Sequence, residues 1–213
     1  MGSLIMHLAV SNEIKRIYNF SDRFLFGSIM PDIKKRILNN RSISHYSEKI
    51  YLQNNSFKNL PNLEIYMKEH KEKLVKKDEY TLGYFAHLIQ DRIWFDKYIS
   101  RFVDFQDDTL EFVYMHSEGR IVDFDYWKNI IYNDYAKMEK YILDKVNLEK
   151  NDIVKRMLLQ TNDCQVKETI KSELIDWKIH YDIKKELLTQ NQLDEYFEEC
   201  IYEIRKMYSK LKI

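Results

Sequence analysis

The run from about Asp78 to Arg101 constrains this chain most. It has no proline, and Gly83 is its only glycine. Leu82, Phe85, Ile89, Ile93 and Tyr98 recur at roughly helical spacing, which predicts a buried helix. Residues four apart on a helix share a face, with Cβ atoms roughly 5–6 Å apart. His87 and Asp91 therefore point the same way. An imidazole and a carboxylate on one apolar face can hold a metal ion when two or three further ligands come from elsewhere. They can equally be a histidine and a carboxylate bonded to each other inside a core. Where the other histidines fall bears on which of the two applies.

Turn-forming residues are scarce, with 4 glycines and 2 prolines in 213 residues. That argues against an all-β or Rossmann-type chain, both of which consume such residues. The expected fold is all-α: a multi-helix bundle with a metal site between helices. It is read as one helical domain, residues 1–213, with the site in 1–100 and scaffold or lid helices in 101–213. Hydrophobic residues at 45% and aromatics at 14% supply a sizeable core. Lys+Arg and Asp+Glu are both 34, so nothing marks a nucleic-acid footprint or a basic membrane face. No stretch reaches the ~18 uncharged apolar residues of a membrane span. The start has no basic segment before a long apolar run, so it does not read as a secretory signal. Met1-Gly2 is a myristoylation-like start, but position 6 holds Met6 instead of a hydroxyl residue. Cys164 and Cys200 are isolated and form no Cys-x-x-Cys, so reduced packing thiols in a cytoplasmic protein are expected.

Leu4 to Tyr18 carries Leu4, Leu8, Ile14 and Ile17 on one side and predicts a first helix. His7 lies near its start, either a core histidine or a ligand. Ser21 or Asp22 caps a short helix through Phe26, Gly27 ends it, and Pro31 biases Met30 away from helix. Asp32 then emerges at a bend, either as the cap of a next helix or aimed into a site. Ile33 to Ser44, with Lys34, Lys35, Arg36 and Arg41, reads as a solvated loop or frayed helix whose charges could also meet an anionic substrate. Ser42 or Ser44 starts the next helix, with His45 in its first turn. Residues 54–61 read as a polar linker, and His70, in a helix from about Leu63 to Val75, reads as exposed. Phe105 to Asp125 reads as an irregular connection with one helical piece around Leu110 to Met115, closed at Gly119. Further helices are expected at about 126–146, 150–159, 166–180 and 192–211. Asp134 is a buried carboxylate paired with tyrosine hydroxyls or a further contributor to the site; His180 carries no role.

Four pieces taken together carry a resemblance: Met6-His7-Leu8; Phe24-Leu25-Phe26-Gly27-Ser28-Ile29-Met30-Pro31-Asp32; Ser44-His45-Tyr46; and Gly83-Tyr84-Phe85-Ala86-His87-Leu88-Ile89-Gln90-Asp91. Their order and spacing resemble the bacterial zinc-dependent phospholipase C family, in the superfamily that also holds P1-type nucleases, over about residues 1–95. The resemblance implies a helical bundle with a metal cluster between helices. It implies that Asp32, His45, His87 and Asp91 surround one Zn2+ ion and that His7 binds a second, with Asp91 shared. Imidazole and carboxylate ligands suit zinc, and paired metals activate water and clamp a phosphoryl group. The chain departs from the family in two ways. It begins Met1-Gly2-Ser3 where secreted members use a freed amino terminus, and it has no later His-x-x-x-Glu. The nearest later acidic candidates are Asp125 and Asp134, and one or two zinc ions are expected.

The functional expectation is a zinc-dependent hydrolase cleaving a small-molecule or lipid phosphate ester, with Asp32 orienting or deprotonating the attacking water. Arg92 either screens phosphate charge or is simply exposed or salt-bridged. An HD-type phosphohydrolase needs an adjacent His-Asp, which is absent. The alternative from another class is a non-catalytic helical protein with at most one structural metal.

Overall fold

The first helix, α1 (Leu4–Tyr18), is buried along nearly its whole length, including His7, Ser11 and Asn12. A helix buried all round belongs at the centre of a domain. Accordingly, α2 (Asp22–Leu38), α6 (Glu79–Ile93), α7 (Phe124–Lys145) and α10 (Gln190–Lys210) all pack on it. The computed structural model describes residues 4–52, 56–106, 111–174 and 186–213. The remaining elements are α3 (Arg41–His45), α4 (Leu63–Glu69), α5 (Lys71–Val75), α8 (Lys150–Leu158) and α9 (Cys164–Leu174). No helix among the described residues is long and apolar enough to cross a membrane.

The all-α expectation is wrong. Helices dominate, but the chain also builds a five-stranded antiparallel sheet, which makes the fold mixed α/β. Its strands are β1 (Ser47–Tyr51), β2 (Phe57–Pro61), β3 (Val103–Phe105), β4 (Phe112–Met115) and β5 (Arg120–Asp123), in that spatial order. Of the expected 54–61 linker, Phe57–Pro61 is β2, and of the helical piece expected around 110–115, Phe112–Met115 is β4; residues 54, 55 and 110 lie outside the described residues. His116 to Gly119 is the loop of the β4–β5 hairpin instead of a helix end, with Gly119 at φ 63°. The physical reason is tertiary. Val103, Phe105, Val113, Met115 and Val122 alternate onto one buried face, and Phe105 meets Trp127 of α7 edge-on at 5.9 Å. Strands of three to five residues are too short for period alone to separate them from helix.

The helix predicted to stop at Gly27 instead runs on to Leu38, through both Gly27 and Pro31. Proline inside a helix removes a hydrogen bond and costs about 3 kcal/mol. Every residue from Phe24 to Ile33 is buried, and that burial offsets the cost. Glycine is required at two places on the α2–α6 crossing. A Cβ on Gly27 would lie 2.1 Å from the Tyr80 carbonyl oxygen, and one on Gly83 1.9 Å from that of Phe24. The expected helix from Asp78 to Arg101 is α6, capped by Asp78, continuing into a π-helical turn at Trp94–Tyr98 and a 3-10 turn at Ile99–Arg101. The helix from Leu63 to Val75 is broken at His70 into α4 and α5. His70 is half-buried, not exposed, and its Nε2 lies 3.0 Å from the Tyr46 hydroxyl.

Candidate metal centre

Three helices and one short turn of helix bring the predicted residues together. His7 comes from α1, Asp32 from α2, His45 from the last position of α3, and His87 and Asp91 from α6. His45 is not in a first turn after a serine cap. Asn40 caps α3 through Ile43, so His45 falls at the inner end, with no exposed surface. Asp32 does not cap a new helix; it lies inside α2 and is buried to 7% exposure, whereas His7, His45, His87 and Asp91 are at 0%.

His45 Nε2 lies 3.3 Å from Asp32 Oδ1 and 3.5 Å from Asp91 Oδ2. It is also 3.3 Å from His87 Nε2. His7 Nε2 is 3.3 Å from Asp91 Oδ1, and His87 Nε2 is 3.9 Å from Asp91 Oδ2. The His7 and His87 rings stack at 3.7 Å. Two sets of ligand atoms lie within 4.8 Å of one another: His7, Asp32 and His87, and His45, His87 and Asp91.

The outer nitrogens determine where the protons sit. His87 Nδ1 donates to the Ser28 carbonyl at 2.7 Å, across the α2–α6 crossing. The Ser44 hydroxyl donates to the Asn40 carbonyl at 3.0 Å and therefore accepts from His45 Nδ1 at 2.8 Å. His7 Nδ1 donates to Gln90 Oε1 at 3.2 Å, and Gln90 Nε2 donates to Ser11 Oγ at 3.3 Å. Each neutral imidazole thus carries its proton on the outside and turns a bare Nε2 inward. A carbonyl, hydroxyl or amide oxygen on the far nitrogen is the usual support of a metal-ligating histidine.

The inward side is short of donors. Among the described residues, His7 Nε2, Asp32 Oδ1 and Asp91 Oδ1 are buried without a hydrogen-bond partner. Buried polar atoms left unpaired are costly and uncommon. Protonating His45 or His87 is not an easy escape. Burial first, and then Arg41, pushes His45 down to about 4. Burial and the neighbouring His7 push His87 well below its ordinary value. Burial, the largest single influence, would raise the Asp91 carboxyl, but Arg41 and the neighbouring histidines together hold it well below its ordinary value. Lone pairs of three imidazoles and two carboxylates therefore face one another, an arrangement that suits a cation. The donor set fits a divalent ion with N/O preference. These buried groups could hold a metal ion.

Four contributors were not singled out for this site from the sequence. Arg41, assigned to a solvated stretch, sends Nη2 to Asp91 Oδ2 at 2.5 Å and lies over the Phe95 ring at 4.7 Å. Its Nη1 is buried without a partner among the described residues. Gln90, Ser44 and the Ser28 carbonyl hold the histidines, and Ser44 and Gln90 each adjoin a predicted ligand in sequence. Arg92 instead donates to the Pro61 carbonyl at 2.8 Å. Asp134 is a buried carboxylate, as one expectation had it, but its Oδ2 accepts from the backbone N–H groups of Leu187 and Leu188 at 2.8 and 3.0 Å instead of from tyrosine hydroxyls. His116 is exposed and pairs with Asp104 at 3.1 Å. His180 lies outside the described residues, as do Met1 and Gly2. Cys200 is buried and Cys164 exposed, both as free thiols.

No family model, curated protein or solved structure matches the chain, so none of these comparisons identifies a phospholipase C family.

Proposed function

We propose that this chain is a zinc-dependent hydrolase of phosphate esters, similar in its chemistry to phospholipase C. The observation that carries the reading is the inward convergence of three bare imidazole nitrogens and two carboxylates, three of whose atoms lack partners. The metal's ligands would come from among His7, Asp32, His45, His87 and Asp91. A bound zinc ion supplies Lewis acidity there, making water acidic near neutral pH and polarising a phosphoryl group.

The chain's own residues do the rest. Asp32 is the only one of the five with any exposed surface, so it stands nearest to where water and substrate enter. Its carboxylate orients the attacking water and takes its proton. Arg41 holds Asp91 with one nitrogen and keeps Nη1 for an anionic oxygen. Lys35 is pushed down to about 8, by burial first and with Asp32 opposing, and so still adds positive charge at neutral pH. A guanidinium and an ammonium beside the centre support an anionic substrate, whether a small molecule or a lipid headgroup.

A second reading is a non-catalytic protein with one structural metal. The complete burial of four of the five ligands favours it, since closed sites stabilise folds without doing chemistry. Zinc-loaded and chelated protein, assayed on a phosphodiester and a phosphomonoester, separates the two. Hydrolysis that requires both the metal and Asp32 supports the enzyme. Stoichiometric zinc with no turnover of either ester supports the structural metal.

A further inference from the structure

We infer that Arg41 stands in the place of a second metal ion, so that the centre holds a single divalent cation in its His7–Asp32–His87 half. The inference rests on reading the cluster as a metal centre, and not on any particular substrate or on turnover.

The two possible ligand sets are not equivalent. The set made by His45, His87 and Asp91 needs the Asp91 oxygen that faces those two rings, which is Oδ2. That oxygen is occupied by Arg41 Nη2 at 2.5 Å. A divalent ion bound to Oδ2 would sit against a guanidinium whose side chain is only 18% exposed. Two cations at that separation repel strongly where water cannot screen them. In the other set, His7 Nε2 and Asp32 Oδ1 are both without partners, and Arg41 touches neither. Asp91 Oδ1 lies 3.3 Å from His7 Nε2 and is also unclaimed. The vacant donor atoms therefore gather on the side of Asp91 that faces away from Arg41.

Charge points the same way. With neutral imidazoles, Asp32, Asp91 and Arg41 leave one negative charge in the cluster. One divalent ion turns that into one positive charge, which a single hydroxide or substrate oxygen neutralises. Two ions would leave three positive charges among groups with almost no exposed surface. Three imidazole nitrogens also cannot supply two apiece to two ions. Arg41 is seated as a fixture, with its guanidinium on the Phe95 face and its backbone in α3, four residues before His45.

The test counts metal and needs no substrate. Protein stripped with chelator is titrated with Zn2+ alone, and bound zinc is measured after equilibrium dialysis. Wild type should bind one equivalent. Arg41→Lys, which keeps the charge, should also bind one, whereas Arg41→Met, which keeps much of the stem, should take up a second. His45→Ala should retain the single equivalent and His7→Ala should lose it, a comparison that stands even if Arg41→Met does not fold. Two equivalents or none in wild type, one equivalent in folded Arg41→Met, two in Arg41→Lys, or loss of zinc in His45→Ala with retention in His7→Ala, would each overturn the inference. A protein that binds one zinc and hydrolyses nothing would leave it standing while removing the enzyme reading. A two-zinc hydrolase would do the reverse.

Discussion

Gly27 and Gly83 each lie against the backbone of the other's helix, three residues before the other glycine. Gly27 meets Tyr80, and Gly83 meets Phe24. The reciprocal fit lets α2 and α6 approach until His87 Nδ1 reaches the Ser28 carbonyl. Two of the chain's 4 glycines are thus used to bring together the helices that carry Asp32, His87 and Asp91.

Gly83→Ala should therefore be severe. Its Cβ would meet backbone, which cannot rotate away, so a loss of about 2–4 kcal/mol is expected. At this size that corresponds to a Tm lower by roughly 5–15 °C. Gly119→Ala meets only the Tyr114 hydroxyl at 4.0 Å and should lose about 1–2 kcal/mol, through its positive φ alone. Thermal melts of both variants check the contrast, and equal losses would show that the crossing is not tight.

Gln90→Ala should weaken zinc binding by about 10–100-fold without changing its stoichiometry. Gln90 donates nothing to the ligand cluster itself; it fixes the proton and orientation of His7. Competition against a chromogenic chelator measures the affinity, and an unchanged Kd would leave Gln90 as core packing.

Chelation should lower the melting temperature of the zinc-loaded protein. A ligand bound only by the folded state adds about 4 kcal/mol at 1,000-fold above Kd. The chelated protein should melt about 8–16 °C lower. Coincident melts, in a preparation first shown to contain zinc, would leave the cluster as a polar core without a metal role.

Asp22 should give the fold an acid-sensitive joint away from the centre. Arg156 first, then Lys15, holds its carboxyl down to about 2 against the desolvation that opposes them. A depressed carboxylate stabilises the fold fully above its unfolded value and loses that contribution as pH falls through its folded one. Asp22→Asn should therefore cost about 1–2 kcal/mol at pH 7, allowing for solvent screening of a partly exposed group. The difference from wild type should shrink from about pH 4 downward and vanish only below about pH 2. Urea melts across that range test it; a difference independent of pH would assign the effect to packing.

Asp134→Ala should destabilise by about 2–3 kcal/mol, because it strands the N–H groups of Leu187 and Leu188 ahead of α10. Bound zinc should be unaffected. Loss of metal in a folded variant would return Asp134 to the site.

The part of the centre whose signal is local was legible. His87 and Asp91 are one helical turn apart, and Leu4 to Tyr18 has helical spacing, so α1, α6 and the pair emerge from period alone. Arg41 was not legible as a site residue. A basic stretch reads as solvated or as meeting an anionic substrate, and nothing local says that one of its four cations is turned inward onto Asp91. The same limit applies to Asp134, whose partners are more than fifty residues away.

By itself the sequence determined the helical period of α1, α6, α7 and α10, the His87–Asp91 pair and the charge balance, whereas His7, Asp32 and His45 were set beside that pair only by the family resemblance. Only the tertiary structure decided that Gly27 and Pro31 lie inside a helix, that short apolar runs become a sheet, and that three histidines present Nε2 while Nδ1 is held outside. The physical reason is that propensity and periodicity involve energies of about 1–3 kcal/mol per residue, local to the chain. Burial against α6, α7 and α10 adds up over many residues and overrides them.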